Sequence, residues 1–224
     1  MNVSQHPEYD HYLETKRKAN PYFTAVEAWR NSGKTISVPE YNLEWNVDSA
    51  QDFILKLAGL FQKYNQVIWD DFHFCRVCQG RCCVQGASSV EPFDWLALAL
   101  VNEPFPVLPP DHPAEEKRCI YLQDQRCSWP ENWRTFRCWT YYCLGPMHVI
   151  QKVCGKRDPG ECYAELAGAL AQCVLAYLPM ELRQFEMKKR ISFSKKVDSP
   201  TAFAYAINEA VTDLLLHPFE LAYL

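Results

Sequence analysis

Eight of the eleven cysteines in this 224-residue chain lie between Cys75 and Cys143, four of them in the run Cys75-Arg-Val-Cys78-Gln-Gly-Arg-Cys82-Cys83. Thiolates are soft anionic ligands, and a C-x2-C-x3-C-C spacing on a glycine-containing turn gathers them at the density a thiophilic metal requires. A hydrophobic core has no need of thiols so closely spaced. The other four, Cys119, Cys127, Cys138 and Cys143, follow the spacing C-x7-C-x10-C-x4-C and contain no second C-x2-C knuckle. Paired knuckles mark zinc ribbons and fingers, so that subclass is disfavoured, while four-thiolate zinc and iron–sulfur centres both stay open. The vicinal pair Cys82-Cys83 adds a constraint. Neighbouring side chains tend to point apart and serve one tetrahedral ion poorly, which leaves room for a second site.

The flanking residues suit thiolate chemistry. Arg76, Arg81, Arg118, Arg126 and Arg137 each adjoin a cysteine of the set, and no Asp or Glu does. Cationic neighbours lower thiol pKa values and offset the negative charge of a thiolate-rich centre, although arginines are also common as solvated surface residues. Phe72, Phe74, Trp129, Trp133, Phe136, Trp139, Tyr141 and Tyr142 crowd the same stretch. Such residues form core, and core around a metal excludes water and tunes its potential. His73 reads as a non-ligand, because enough thiolates for four-coordination are close by. Cys154 and Cys162 flank a charged loop and stand as reserve ligands, and Cys173 reads as a small core hydrophobe.

Taken together, Cys75-x2-Cys78-x-Gly80-x-Cys82-Cys83, Arg118-Cys119-Ile-Tyr-Leu, and Cys127-Ser128 with Glu131, Asn132 and Arg134 before Cys138 resemble the YkgJ-like, or CxxCxxxCC, family of zinc- or iron-chelating domains over about residues 72–145. Thr135 stands where that family usually has proline, and Trp139 where arginine is usual. The resemblance implies chelation by Cys75, Cys78, Cys82, Cys83, Cys119, Cys127, Cys138 and Cys143. It implies no particular reaction, though relatives of the cluster occur in a flagellin lysine methylase.

The rest of the chain must hold these ligands. Residues 4–30 carry Tyr12, Tyr22, Phe23, Val26 and Trp29 amid charges and read as one or two surface helices ended near Gly33. Asp48-Ser-Ala-Gln51 has a capping-box pattern, and Phe53, Leu57, Leu60, Tyr64 and Ile68 then recur at helical spacing. One further helix is expected near Glu91–Val101, before a proline-rich loop over Glu103–Pro113. A small-residue helix follows from Gly160 to Leu178, packing through Ala167, Gly168 and Ala171, and Pro179 starts another element. The final helix is expected from Ser199-Pro200 through Phe203, Ile207, Val211 and Leu214. Alternating strands are scarce. The expectation is a mostly α protein with few or no strands, its helices packed around an irregular cysteine-rich metal-binding centre. It divides as an N-terminal helical region at 1–71, a cysteine core at 72–145 and a C-terminal helical region at 146–224, within one domain.

A net charge of -4 disfavours a nucleic-acid footprint. The polar N-terminus lacks an apolar export segment, and no apolar stretch is long enough to insert in a membrane. A reducing, cytoplasmic home follows, where clustered cysteines are metal ligands or redox groups more often than disulfides. Ala28-Trp-Arg-Asn-Ser-Gly33-Lys34-Thr35 fits a relaxed phosphate-loop pattern, but it runs into Ile-Ser-Val-Pro39 where a helix should begin. No triad, dinucleotide loop or H-E-x-x-H supports a hydrolase or dehydrogenase. The leading expectation is a metal-binding protein holding an iron–sulfur cluster or zinc for electron transfer or metal handling. The alternatives are a zinc-stabilised interaction protein with a protein partner, and a metal-dependent group-transfer enzyme.

Overall fold

The computed structural model describes residues 7–72, 90–108, 121–123, 126–130, 133, 135, 178–189 and 207–224. These residues are mostly helical, with two short antiparallel ladders. Helix α1, Pro7–Ser32, is one unbroken helix. Its apolar stripe runs Tyr12, Thr15, Ala19, Tyr22, Val26 and Trp29, alternating steps of three and four, and every member is buried. The Thr15 hydroxyl donates to the His11 carbonyl at 2.8 Å, which satisfies the polar group of the stripe's one threonine. Pro21 lacks the N–H that would bond back into the helix, but it lies on the exposed side, where water can serve the freed carbonyl. The expected one or two surface helices are thus a single helix whose inner stripe is core.

Gly33 ends α1 with φ at +61°, a left-handed conformation that glycine adopts without a Cβ penalty. The chain then enters β1, Ile36–Val38, makes a 3-10 turn at Pro39–Tyr41, and returns as β2, Leu43–Trp45, with Ile36 opposite Trp45 and Val38 opposite Leu43. The Ala28–Thr35 segment therefore lies at the carbonyl end of a helix and leads into a strand. A phosphate loop needs the reverse order, strand then helix N-terminus, because amide N–H groups bind the anion. Lys34→Ala is accordingly expected to change neither folding nor ATP affinity. Titration calorimetry showing ATP binding that the substitution removes would overturn this.

Helix α2, Val47–Phe72, starts two residues earlier than the Asp48-Ser-Ala-Gln51 pattern suggests. The cap is Asn46: its Oδ1 accepts from the Ser49 N–H at 2.8 Å, and the Ser49 hydroxyl oxygen accepts from the Asn46 N–H at 3.0 Å. Serine does here what glutamate does in the common capping box. Val47, Ala50, Phe53, Ile54, Leu57, Leu60 and Phe61 form its buried side.

Helix α3, Pro92–Leu100, agrees with expectation at both ends, with Glu91 as its N-cap and Val101 as its C-cap. The capping box is complete, the Asp94 carboxylate accepting from the Glu91 N–H at 2.8 Å. Asn102, at φ 60°, closes the other end: its N–H bonds Ala99 and that of Glu103 bonds Leu98, the paired contacts of a Schellman motif. Arg30 from α1 adds a bond to the Leu100 carbonyl at 3.3 Å. Every residue from Phe93 to Leu100 is buried, so α3 is a central helix against which both α1 and α2 pack.

Pro179 precedes α4, Met180–Lys189, and its carbonyl accepts from Leu182 and Arg183. Buried Leu182 and Phe185 hold this helix in place, Phe185 against Tyr41 with ring centroids 5.8 Å apart. The C-terminal stretch is helical at 207–211, widens into a π turn at Thr212–Leu216, and ends as α5, His217–Tyr223. Pro218 explains the widening. It has no N–H to give the Leu214 carbonyl and would clash with it in an ordinary α turn. The Trp45 indole N–H takes up that buried carbonyl instead, at 2.6 Å. Tyr22 likewise bonds Glu220 at 2.5 Å, and burial together with that bond raises the phenol pKa. The two ends of the chain therefore share one core. The helix expected from Gly160 to Leu178 lies outside the described residues except for Leu178, and so does the expected start of the last helix at Ser199-Pro200. No helix among the described residues is long and apolar enough to cross a membrane.

Candidate metal centre

The first cysteine run is bracketed by described helices. Helix α2 ends at Phe72, three residues before Cys75, and α3 begins at Pro92, nine residues after Cys83; the two helices pack on each other. The run is thus flanked in sequence by two helices of one packed unit, and lies itself outside the described residues.

The second group meets the core through a hairpin, β3 at Leu122–Gln123 and β4 at Arg126–Cys127, with Leu122 opposite Cys127. The Ser128 N–H extends the ladder by bonding the Tyr121 carbonyl at 2.7 Å. Just outside the strands, Tyr121 and Trp129 meet edge to face at 5.5 Å and 78°. Phe105 stands against both rings, at 6.4 Å and 5.9 Å, again nearly perpendicular. Perpendicular aromatic pairs place a positive ring edge on a negative face, contributing about 0.5–1.5 kcal/mol each beyond the area they bury. Tyr12 completes the group, 6.4 Å from Tyr121. Its hydroxyl donates to the Pro106 carbonyl at 2.9 Å and accepts from the Leu108 N–H at 3.2 Å. One tyrosine of α1 thus fixes the first part of the proline-rich loop and helps seat the hairpin that carries Cys127.

Of the sequence-predicted ligands, Cys127 lies on β4, and Cys75, Cys78, Cys82, Cys83, Cys119, Cys138 and Cys143 lie outside the described residues. The same holds for Arg76, Arg81, Arg118 and Arg137, for His73, and for Cys154, Cys162 and Cys173. Among the expected aromatics, Trp129 is 3% exposed and Trp133 packs half-buried against the core. Phe74, Phe136, Trp139, Tyr141 and Tyr142 lie outside the described residues. No three His, Cys, Asp or Glu among the described residues gather as a metal-holding group. Trp129 Nε1 and Ser128 Oγ, which follow Cys127 in sequence, are buried side-chain atoms with no hydrogen-bond partner.

A second feature has no counterpart in the sequence reading. An open cleft of about 600 Å³ runs between the Thr35–Glu40 segment on one side and, on the other, Asp213 of the π turn with His217 and Leu221 of α5. His217 Nδ1 is 4.0 Å from Asp213 Oδ1, an ion-pair separation and too long for a hydrogen bond.

Compared with models of known families, with curated proteins and with solved structures, the chain matches none. The resemblance to the YkgJ-like domains therefore rests on its cysteine spacing and on the residues that flank the cysteines.

Proposed function

We propose that this chain is a metal-binding protein of the YkgJ-like kind, whose cysteines hold iron as an iron–sulfur centre, in preference to zinc, for electron transfer or metal handling. The observation that carries the reading is the Cys75–Cys83 run with its arginine neighbours. Support comes from the helices α2 and α3 on either side of that run and from the aromatic seat beneath the Cys127 hairpin. A reducing, cytoplasmic home belongs to the same reading, since thiols are kept reduced there. Bound, such a centre supplies one-electron chemistry. Iron is preferred over mononuclear zinc because there is no second knuckle, because Cys82 and Cys83 are vicinal, and because an arginine- and aromatic-rich surround suits an anionic cluster shielded from water. Two zinc ions on eight thiolates, with a charge sum of -8 + 4 = -4, would use the same arginines.

Protein purified without oxygen is expected to be brown. Its broad visible absorption should bleach on reduction, with iron and acid-labile sulfide present in similar amounts. Colourless protein with stoichiometric zinc and no sulfide, from cells given ample iron, would instead establish the zinc-stabilised reading.

A further inference from the structure

We infer that the open edge of β1 accepts an added strand from a partner protein, an extended segment carrying lysine or arginine that seats in the cleft between β1 and α5. The sheet containing β1 has two strands, and β2 covers only one edge of it. In an antiparallel ladder alternate residues turn both N–H and C=O away from the partner strand, so β1 carries backbone donors and acceptors on its other edge. Among the described residues, nothing bonds the backbone of Ile36, Ser37 or Val38 from that side. Helix α5 lies beside β1 while α2 lies beside β2, so the cleft runs along the open edge. An incoming chain that displaces water there must meet these groups with its own. Only an extended backbone presents N–H and C=O at the spacing of a strand.

The walls select the side chains. His217, Pro218, Leu221 and Ala222 recur along one face of α5 and line the cleft, and Leu221 is 90% exposed. That face offers apolar contact to every second side chain of an added strand. The described lining holds two carboxylates, Glu40 and Asp213, and neither lysine nor arginine. Asp213 has His217 at 4.0 Å, whereas Glu40 is exposed and its carboxylate makes no hydrogen bond or ion pair among the described residues. A cationic side chain beside Glu40 is attracted, and an acidic one is repelled. Pro39 has no N–H and ends the edge, so the added strand is short and its affinity modest.

The test follows fluorescence polarisation of labelled hexapeptides mixed with the full chain. One peptide alternates valine and lysine, a second has glutamate in place of lysine, and a third is the valine–lysine peptide with its backbone nitrogens methylated. Methylation keeps the charge and removes the donors of the strand. The valine–lysine peptide is expected to bind at least about tenfold more tightly than either of the others, a difference of about 1.4 kcal/mol. Glu40→Lys is expected to reverse the preference between the lysine and glutamate peptides, and Leu221→Ser to weaken the lysine peptide several-fold. Both positions are exposed, so circular dichroism should be unchanged in both variants. Folded protein that fails to bind the valine–lysine peptide, or that binds it and its methylated form equally, overturns the inference. So does a wild-type dimer in sedimentation that Leu221→Ser dissociates, since a second copy of the chain then fills the cleft.

Discussion

Trp29→Ala is expected to destabilise the fold by about 4 kcal/mol, the usual loss for truncating a fully buried tryptophan, and to lower Tm by roughly 10 °C in a protein of this size. Trp29 is 0% exposed and lies where three parts of the chain meet. Its ring packs on Phe219 at 5.6 Å and on Tyr223 at 5.7 Å, both in α5, so it joins the first helix to the last. Its Nε1–H donates to the Lys34 carbonyl at 2.8 Å, holding the turn that follows Gly33 and so the entry into β1. Alanine would leave a cavity between α1 and α5 that rigid helices cannot collapse to fill. Trp29→Phe retains the ring contacts and loses the bond, so it should cost much less. Urea unfolding followed by circular dichroism separates the two variants. An alanine variant within about 1 kcal/mol of wild type would mean that α5 docks independently of this ring.

The helices that could be read from sequence are those whose signals are local. Glu91-Pro92 and Asp94 mark the start of α3 because a cap and a proline at the first helical position act within one turn. The α2 stripe is equally visible, since Phe53, Leu57 and Leu60 recur at the helical period. What escaped depends on distant partners. Asn46 is hard to recognise as a cap because the residue three positions on is Ser49 and not the glutamate or glutamine that identifies the usual box. The π turn precedes Pro218, and the donor that the Leu214 carbonyl would otherwise lack comes from Trp45, 169 residues before Leu214. No window of sequence contains both residues.

The candidate centre divides along the same line. Thiol spacing is a local property, so Cys75, Cys78, Cys82 and Cys83 could be named from sequence as a set. Their support is not local. Tyr12 ties down Pro106 and Leu108 across more than 90 positions and packs beside Tyr121 at the foot of the Cys127 hairpin. Trp129 was expected as core and is core. The partnerless state of its indole N–H emerged only with the rings packed around it.

The double variant Cys78→Ser, Cys82→Ser is expected to release the metal and to lower the melting temperature by more than any substitution in the helical core. Serine hydroxyl is a hard, neutral donor at neutral pH, and exchanging two thiolates for it removes the charge and softness that hold zinc or iron. The stability loss follows from linkage. Where ligands are brought together only in the folded state, metal-binding free energy is folding free energy, and in thiolate zinc peptides it reaches about 10–16 kcal/mol. Here the run connects α2 to α3 in sequence, and those two helices pack on each other. Released metal should therefore loosen the packing of α2 on α3 as well as the run itself, because the two helices share one buried face. Elemental analysis and a melting curve read the two effects separately. A thiol-competent chelator added to wild-type protein should reproduce the variant's melting curve, and Cys173→Ala should keep the full metal content. Full retention of metal with an unchanged melting curve in the double variant would remove these two cysteines from the ligand set.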